Sequence, residues 1–542
     1  MKHLKAIDLY SGIGGWHLGL KMANIDVVRS YEWWEDANLT HNINFSTKNS
    51  TIDIRKMAFS QLPLPESIDI VVGSPPCTQF SYANRGGSGN IADGLKDIIR
   101  FLEIIQYLKP KYWAMENIPR VAKIIKIELG SGGQLNRFKS LFNTIMIVSM
   151  DNYGIPQARK RMIAGYFPQS LLEAYAEEIP HLNLGDVINS LDGRIISDPL
   201  YKFQLSSNLL TDNEKETPLD PEEERMNRDS KTYHPIYNRV GFPDSLDKPS
   251  RTVTAVCTRV SRESIVIKDT RAPKTFRRLT ARERACLQTF PITFQFYGRS
   301  YTSKLKMIGN AFPPVMAYYV AMSMRNKAPK NISIPSKINY KHTTPKMLPK
   351  KVQINVVNKS YRDTRNFRSA IPHLRFGSGV RFDLSNHFIE NNNIFWKVSF
   401  YYGPSKSFKE ISLNEQLYKE TLEILPEPMQ KHIIKYLNQK LNTILQLQSK
   451  QLQLIWCHKE SGKSPFDVVD SLGEVAHELL SQTIPKYKGI SKSVIHTYIL
   501  DKVMFDGKLG KGSVKKIDKY YLEIYIGILL GAYFNRTFMI SL

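Results

Sequence analysis

The chain is poor in cysteine. Its four, Cys77, Cys257, Cys286 and Cys457, stand far apart with no Cys-x-x-Cys pair. Neither a disulfide framework nor a thiolate zinc site is expected, and a reducing compartment fits. Acidic residues are outnumbered: 50 Asp and Glu face 75 Lys and Arg over 542 residues, a formal net charge of +25. Such a balance favours a polyanionic partner, nucleic acid first. Long apolar runs are missing too. The longest, Ile524 to Phe534, is too short to span a bilayer and follows Glu523, so it reads as a buried helix or strand. The start, Met1-Lys2-His3-Leu4-Lys5, runs into a strand without a secretory apolar region. The expected location is cytoplasmic, on the nucleoid, with no membrane contact. The chain also has no internal repeat from 353 onward, and its length predicts two or three domains.

The sequence does hold one unusual turn. The apolar run Ile68-Asp69-Ile70-Val71-Val72 leads into Gly73-Ser74-Pro75-Pro76-Cys77-Thr78-Gln79-Phe80-Ser81, followed by a Gly-rich segment from Asn84 to Gly89. Proline fixes φ and lacks an N–H, so a strand here delivers one cysteine on a stiff turn. Upstream, the strand Leu4 to Leu9 ends in Asp8-Leu9-Tyr10-Ser11-Gly12-Ile13-Gly14-Gly15, and a helix follows over Trp16 to Ala23. Strand, glycine turn and helix open a nucleotide-binding α/β unit, in which glycines admit a ligand to the helix start. A second strand, Val27 to Tyr31, ends at Glu32-Trp33, where an acid can accept from ribose hydroxyls. Asp53-Ile54 follows a third short segment, and the fourth strand leads to Cys77.

After a helix over about Leu95 to Leu108, a fifth strand ends at Glu116-Asn117. Ligands of open parallel sheets gather at the carboxyl ends of strands, so Cys77 and Glu116 share an edge. Farther on, Gln157-Ala158-Arg159-Lys160-Arg161 puts two arginines on one side of an extended run, placed to clamp an anion or a base. From Phe167 to Phe276 regularity breaks down. Glu222-Glu223-Glu224 reads as a solvated face, while Arg251-Thr252-Val253-Thr254, with Arg259 and Arg262, suits a groove-reading surface. Thr280 and Glu283 form a capping box, and Gly309-Asn310-Ala311 precedes a proline-started helix to about Met324. Residues 326–351 carry seven lysines, four prolines and no acid, the composition of a basic linker.

These blocks, in this order, resemble the bacterial DNA (cytosine-5) methyltransferases over about residues 4–325. The resemblance implies an α/β, Rossmann-like sheet that binds S-adenosylmethionine, with a small irregular target-recognition domain. The expected domains are a catalytic part at 1–166, target recognition at 167–276, a closing catalytic part at 277–325, the basic linker at 326–352, and an additional C-terminal α+β domain at 353–542 of unknown role. By position, the cofactor residues are Asp8, Tyr10 (where Phe is usual), Ser11, Gly12, Gly14, Gly15, Glu32, Trp33, Asp53, Ile54, Pro75, Asn310 and Ala311. Gly12 and Gly14 are to admit the methionine part. Cys77 is the expected nucleophile, Glu116 the contact to the flipped cytosine, and Arg159 and Arg161 assist. Gln79, Ser81, Arg251, Thr252 and Arg259 are the expected DNA contacts. Thr78 stands where Gln is usual after the cysteine, which touches the loop's minor-groove contacts rather than the chemistry.

The chemistry explains the residue types. C5 of cytosine is a poor nucleophile until a thiolate adds to C6. A free thiol is only a few per cent ionised at neutral pH, so Cys77 calls for a nearby cation or helix end. The base has to leave the duplex stack. No metal is required, and the partner is duplex DNA, bound by a monomer. A tRNA cytosine-5 methyltransferase is the alternative within the fold; a nicotinamide dehydrogenase leaves Cys77, Glu116 and the paired arginines unexplained. The C-terminal region is either a DNA- or partner-binding module or a fused nuclease, for which Asp467, Asp470 and Glu474 are the metal-ligand candidates.

Overall fold

A computed structural model describes residues 3–80, 89–232, 240–270, 272–354, 360–376, 379–388, 394–403, 408–484, 491–504 and 511–540. The chain divides into two compact units, Met1–Asn227 with Gly241–Val356, and Arg228–Val240 with Val357–Leu542.

The first unit is built on a six-stranded sheet in the order β2-β1-β3-β4-β6-β5. Its strands are β1 (Lys5–Leu9), β2 (Asp26–Tyr31), β3 (Ile70–Gly73), β4 (Tyr112–Asn117), β5 (Thr144–Ser149) and β6 (Lys160–Tyr166). β2, β1, β3 and β4 run parallel; β6 is antiparallel to both β4 and β5. The parallel strands read as apolar runs because both faces are covered. α1 (Gly15–Met22) and α2 (Glu35–Phe45) follow β1 and β2, and α3 (Ile91–Leu108) and α4 (Pro119–Glu128) follow β3 and β4. One core cluster joins Ile7, Val71 and Met115 of the sheet to Phe101 and Ile105 of α3; the other joins Ala6, Val72 and Ile163 to Trp16 and Leu20 of α1. The segment before Asp53 is not a strand: it makes one isolated bridge, Glu32 with Thr51. Cys77 therefore follows the third strand and Glu116 ends the fourth.

Of residues 167–276, all but Arg228–Val240 belong to this unit. They carry α5 (Gln169–Tyr175), α6 (Leu184–Ser190), α7 (Pro221–Thr232) and the short strands β7 (Ile195–Ser197), β8 (Gln204–Ser206) and β9 (Val266–Lys268). Leu172, Val187, Leu191 and Leu200 share the core cluster that holds Trp16 and Leu20. β10 (Phe276–Arg278), α8 (Ala281–Leu287), α9 (Tyr301–Asn310) and α10 (Pro314–Met324) complete the unit. The stretch expected as a basic linker is laid on this unit. Ile332, Ile338, Tyr340 and Val352 pack against the same cluster, and the buried His342 shares a hydrogen bond with the Asn44 carbonyl at 3.2 Å. Its apolar residues, spaced without period among lysines and prolines, anchor it.

In the second unit the antiparallel strands β11 (Arg368–Arg375), β12 (Arg381–Phe388), β13 (Ile394–Tyr402) and β14 (Lys409–Ser412) form one sheet in that order. Its helices are α11 (Glu415–Glu423), α12 (Glu427–Leu445), α13 (Ser449–Trp456), α14 (Pro465–Glu478), α15 (Lys492–Tyr498) and α16 (Lys511–Ile540). The expected α+β character holds. The apolar run from Ile524 to Phe534 is a buried length of α16. Asp467 is exposed and caps α14, its carboxylate accepting from the Ser464 backbone N–H at 2.6 Å. Among the described residues no three His, Cys, Asp or Glu side chains cluster to hold a metal. The nuclease candidates have no support here. No described helix is long and apolar enough to cross a membrane.

Candidate active site

The glycine turn after β1 divides its labour. Gly12 has φ +54°, and a Cβ there would meet nothing within 4 Å. Gly14 is different: at φ +91° its added Cβ would strike Phe45 at 2.4 Å and His41 at 2.8 Å. It is glycine because α2 packs against it here. At Gly15 the neighbour is backbone, the Phe312 carbonyl at 1.9 Å. This contact brings the Gly309-Asn310-Ala311 loop against the start of α1.

Glu32 ends β2 and is buried. Its carboxylate accepts from the backbone N–H of Gly12 at 2.7 Å, Trp33 at 3.0 Å and Trp34 at 2.7 Å. Asp8, fully buried near the end of β1, is held by nothing comparable: among the described residues no close hydrogen-bond donor meets its carboxylate, and the buried Ser11 hydroxyl has no partner among them either. Burial first, then the charge of Glu32, raises the Asp8 pKa well above the usual carboxylate range, against a weak pull from the backbone of His17. Trp33 is 62% exposed beside this turn, so it is not a core tryptophan. Asp53 lies at the surface with Lys56 at 3.8 Å, while Ile54 is buried in the core. Orphaned polar groups, an open glycine face and an exposed tryptophan fit a bound nucleoside-type cofactor, since buried polar groups are otherwise satisfied.

The second half of the site lies at the ends of β3 and β4. The two strands pair in register, Gly73 opposite Met115, so the turns that follow them are adjacent. The Trp16 indole N–H donates to Ser74 Oγ at 3.1 Å, and the Asn117 amide donates to the Pro75 carbonyl at 3.0 Å. These two bonds fix the Pro-Pro-Cys turn. Asn117 was not among the expected site residues, although its place directly after Glu116 was the available signal. Glu116 is 7% exposed and meets Arg161 Nε at 2.9 Å through Oε1.

Arg159 is buried and works as a brace. Its terminal nitrogens donate to the carbonyls of Val253 at 3.0 Å, Gly309 at 3.2 Å and Ala311 at 3.5 Å. Burial, with Arg161 adding to it, pushes its pKa down to about 9. Gln157 is a second brace that sequence reasoning passed over. Its side-chain oxygen accepts from Val253 N–H at 2.8 Å, and its amide donates to Leu287 and Gln288. The Thr252-Val253 pair is thereby tied to the arginine run, with the Thr252 hydroxyl 3.5 Å from the Ala158 carbonyl.

Two expected DNA contacts have their guanidinium donors engaged inside the protein. Arg251 forks onto Asp244 at 2.5 and 3.0 Å and reaches the carbonyls of Arg262 and Ser264. Arg259 forks onto Glu223 at 2.6 Å through both donors and reaches the carbonyls of Thr217 and Pro218. Glu223, expected on a solvated face, is buried because it holds this arginine. Such forks hold a loop in shape. Between them the chain carries Val256, 72% exposed. Gln79 Oε1 accepts from Asn90 N–H at 3.0 Å, and Ser81 lies outside the described residues.

The expected activation of Cys77 is not what its surroundings do. Burial, then Glu116, raises the thiol pKa, and the opposing pull of Arg161 and Arg159 does not overcome them. Cys77 is accordingly a thiol at neutral pH. Its alkylation by iodoacetamide, followed on the Cys77 peptide by mass spectrometry, is expected to accelerate with rising pH toward a midpoint above that of an ordinary cysteine, about 8.5. A midpoint at or below that value would contradict this environment.

A family model described as C-5 cytosine-specific DNA methylase matches residues 4–326. The chain belongs to that family. It is a DNA cytosine-5 methyltransferase, and its methyl donor is S-adenosylmethionine. Among similar curated proteins, the type II methyltransferase M.HindV of Haemophilus influenzae is 30% identical over 333 residues, covering 60% of this chain and 97% of that one. M.HgiDI of Herpetosiphon aurantiacus is 28% identical over 327 residues, covering 59% and 94%. A solved prophage-encoded DNA modification methyltransferase from E. coli is 21% identical with a TM-score of 0.42, covering 60% of this chain and 99% of that one. The family match ends at residue 326, before the Val357–Leu542 part of the second unit.

Proposed function

We propose that this methyltransferase modifies a specific site in duplex DNA through a covalent bond between Cys77 Sγ and C6 of a flipped cytosine. The observation that carries this reading is the meeting of Cys77, after β3, and Glu116, near the end of β4, with Arg161 from the start of the neighbouring β6. S-adenosylmethionine, when bound, supplies an electrophilic methyl group. The residues to hold it are Glu32, Asp8, Ser11 and Gly12 at the turn, with Tyr10, Trp33 and Asp53 on the adenosine side and Pro75, Asn310 and Ala311 nearby.

Sγ adds to C6, and the electron pair moves toward N3. Glu116 relieves the charge there by donating a proton or hydrogen bond, and Arg161 fixes its carboxyl at 2.9 Å. C5 becomes enamine-like and takes the methyl. Loss of the C5 proton then expels Cys77. The raised Cys77 pKa keeps the nucleophile protonated until the base arrives; as Sγ adds, the neighbouring Glu116 carboxylate takes the thiol proton and passes it to N3.

The loop between the Arg251 and Arg259 forks, with Thr252 and Val256, is proposed to read the groove. Phosphate contacts then fall to other basic residues. We further propose a monomer acting on the nucleoid, in a restriction-modification or related defence system, with the second unit as a DNA- or protein-binding module. Tritium transfer from labelled S-adenosylmethionine to mixed-sequence duplex DNA tests the activity. Label on C5 of cytosine at one recurring sequence is the expected result. Label entering tRNA and not duplex DNA would overturn the reading.

A further inference from the structure

Tyr10 occupies the left-handed region, φ +53°, unusual for a bulky residue. Its buried hydroxyl donates to Asp97 Oδ1 at 3.3 Å, with the Asp97 carbonyl at 3.4 Å. Asp97 lies on α3, the helix beyond the Cys77 turn. Its carboxylate is forked by Arg55, Nε to Oδ1 at 2.8 Å and a terminal nitrogen to Oδ2 at 2.5 Å. The same guanidinium reaches Asp93 Oδ1 at 3.1 Å and the Asp93 carbonyl at 2.9 Å. Arg55 itself is hooked to Asp53, whose Oδ1 accepts its backbone N–H at 3.0 Å. Tyr10 and Asp53 are thus both tied to the first two turns of α3.

The start of α3 is in turn tied to the Cys77 turn. Asn90 caps the helix, its side chain accepting from Asp93 N–H at 3.1 Å. Its own N–H donates to Gln79 Oε1 at 3.0 Å. Gly89 lies so close to Gln79 that an added Cβ would stand 2.1 Å from its carbonyl oxygen. Arg120 from α4 holds the Phe80 carbonyl at 3.0 Å. An unbroken line of charged and hydrogen-bonded contacts therefore runs from Tyr10 and Asp53, through Arg55, Asp97 and Asp93, to Asn90 and Gln79, two residues from Cys77.

We propose that Asp97 and Arg55 are positioning residues that couple occupancy of the adenosine pocket to the seating of the Cys77 segment, and hence to DNA binding. The proposal rests on the reading of Tyr10 and Asp53 as adenosine contacts. A ligand that presses on Tyr10 and Asp53 bears on the start of α3, and DNA that engages the Thr78–Phe80 turn bears on the same helix start through Gln79 and Asn90. Coupling of this kind is reciprocal: DNA must tighten cofactor binding by the factor with which the cofactor tightens DNA binding.

The test is calorimetric. S-adenosylhomocysteine is titrated into the full chain with and without mixed-sequence duplex DNA, for wild type, Asp97→Asn, Arg55→Gln and Tyr10→Phe. Hydrogen exchange of the peptide covering the start of α3 is followed in parallel. Wild type is expected to bind the product about tenfold more tightly with DNA present, within the usual range for coupled sites, and to slow exchange at the start of α3. In Asp97→Asn and Arg55→Gln that ratio is expected to fall to about 1, with binding in the absence of DNA changed by less than about threefold. Tyr10→Phe, which removes one hydroxyl, is expected to show an intermediate ratio and carries the test if the charge variants do not fold. An unchanged ratio in the variants, or a loss of product binding alone with the ratio preserved, would overturn the proposal. Failure of wild type to bind S-adenosylhomocysteine at all would overturn the pocket assignment beneath it.

Discussion

Replacing Cys77 by serine is expected to remove methyl transfer while sparing cofactor and DNA binding. A serine hydroxyl is far less acidic than a thiol and a weaker nucleophile, so addition to C6 stalls. Loss of a nucleophile is expected to cost on the order of 10³-fold or more in kcat. The Cys77 side chain takes no part in fixing its turn: the turn is held by Trp16 on Ser74 and by Asn117 on Pro75. Product binding is therefore expected to stay within about twofold of wild type, an estimate that follows from separating binding from chemistry. Initial rates with labelled donor and calorimetry with S-adenosylhomocysteine check both halves. A variant that keeps a tenth of wild-type activity would remove Cys77 from the chemistry.

Glu283→Ala is expected to be the most destabilising single change. Glu283 accepts from Thr280 N–H at 2.7 Å and forks onto Arg277 at 2.8 and 2.9 Å, with both side chains buried. Truncation opens the cap of α8 and leaves the buried Arg277 guanidinium with Asp269 at 3.6 Å and the Arg278 carbonyl at 3.0 Å, and no close carboxylate fork. Breaking such a pair from one side costs about 3–5 kcal/mol. The same helix carries Arg284, which holds the Thr254 carbonyl at 2.5 Å, so the groove-reading loop should loosen as well. Guanidinium unfolding followed by tryptophan fluorescence is the check, and a loss under about 1 kcal/mol would show that the pair is compensated elsewhere.

These two residues mark what a sequence discloses. The capping box is local: Thr280 and Glu283 announce it by spacing alone. The Arg277 pair needs Arg277, in the middle of β10, to reach onto the helix, and no spacing rule requires that. The same contrast runs through the site. The glycine turn, the Pro-Pro-Cys turn and Glu116 are legible because each ends a short apolar strand, and strand ends of a parallel sheet converge. Arg251 and Arg259 misled because an arginine in a Thr-rich loop reads the same whether it faces DNA or a carboxylate. Asp244 and Glu223 decide the matter, and the Arg259 partner lies 36 residues away. That Gly14 also has to seat Phe45 and His41 shows only in the packed structure. Residues 326–352 looked like linker because lysine and proline set their composition, whereas Ile332, Ile338 and Tyr340 set their place. Asp97 gave no signal at all, being one acid on an amphipathic helix until Tyr10 and Arg55 are seen to meet it.

The central claim is the covalent step, and it can be caught. Mixed-sequence duplex DNA made with 5-fluorocytosine offers a base that can accept the thiol and the methyl but has no C5 proton to lose, so the adduct cannot collapse. In the presence of S-adenosylmethionine, a complex of protein and DNA that survives denaturation, with peptide mapping placing the bond on Cys77, is the predicted result. Methylation of ordinary duplex DNA without any such complex, or a bond mapped to another cysteine, would contradict the account.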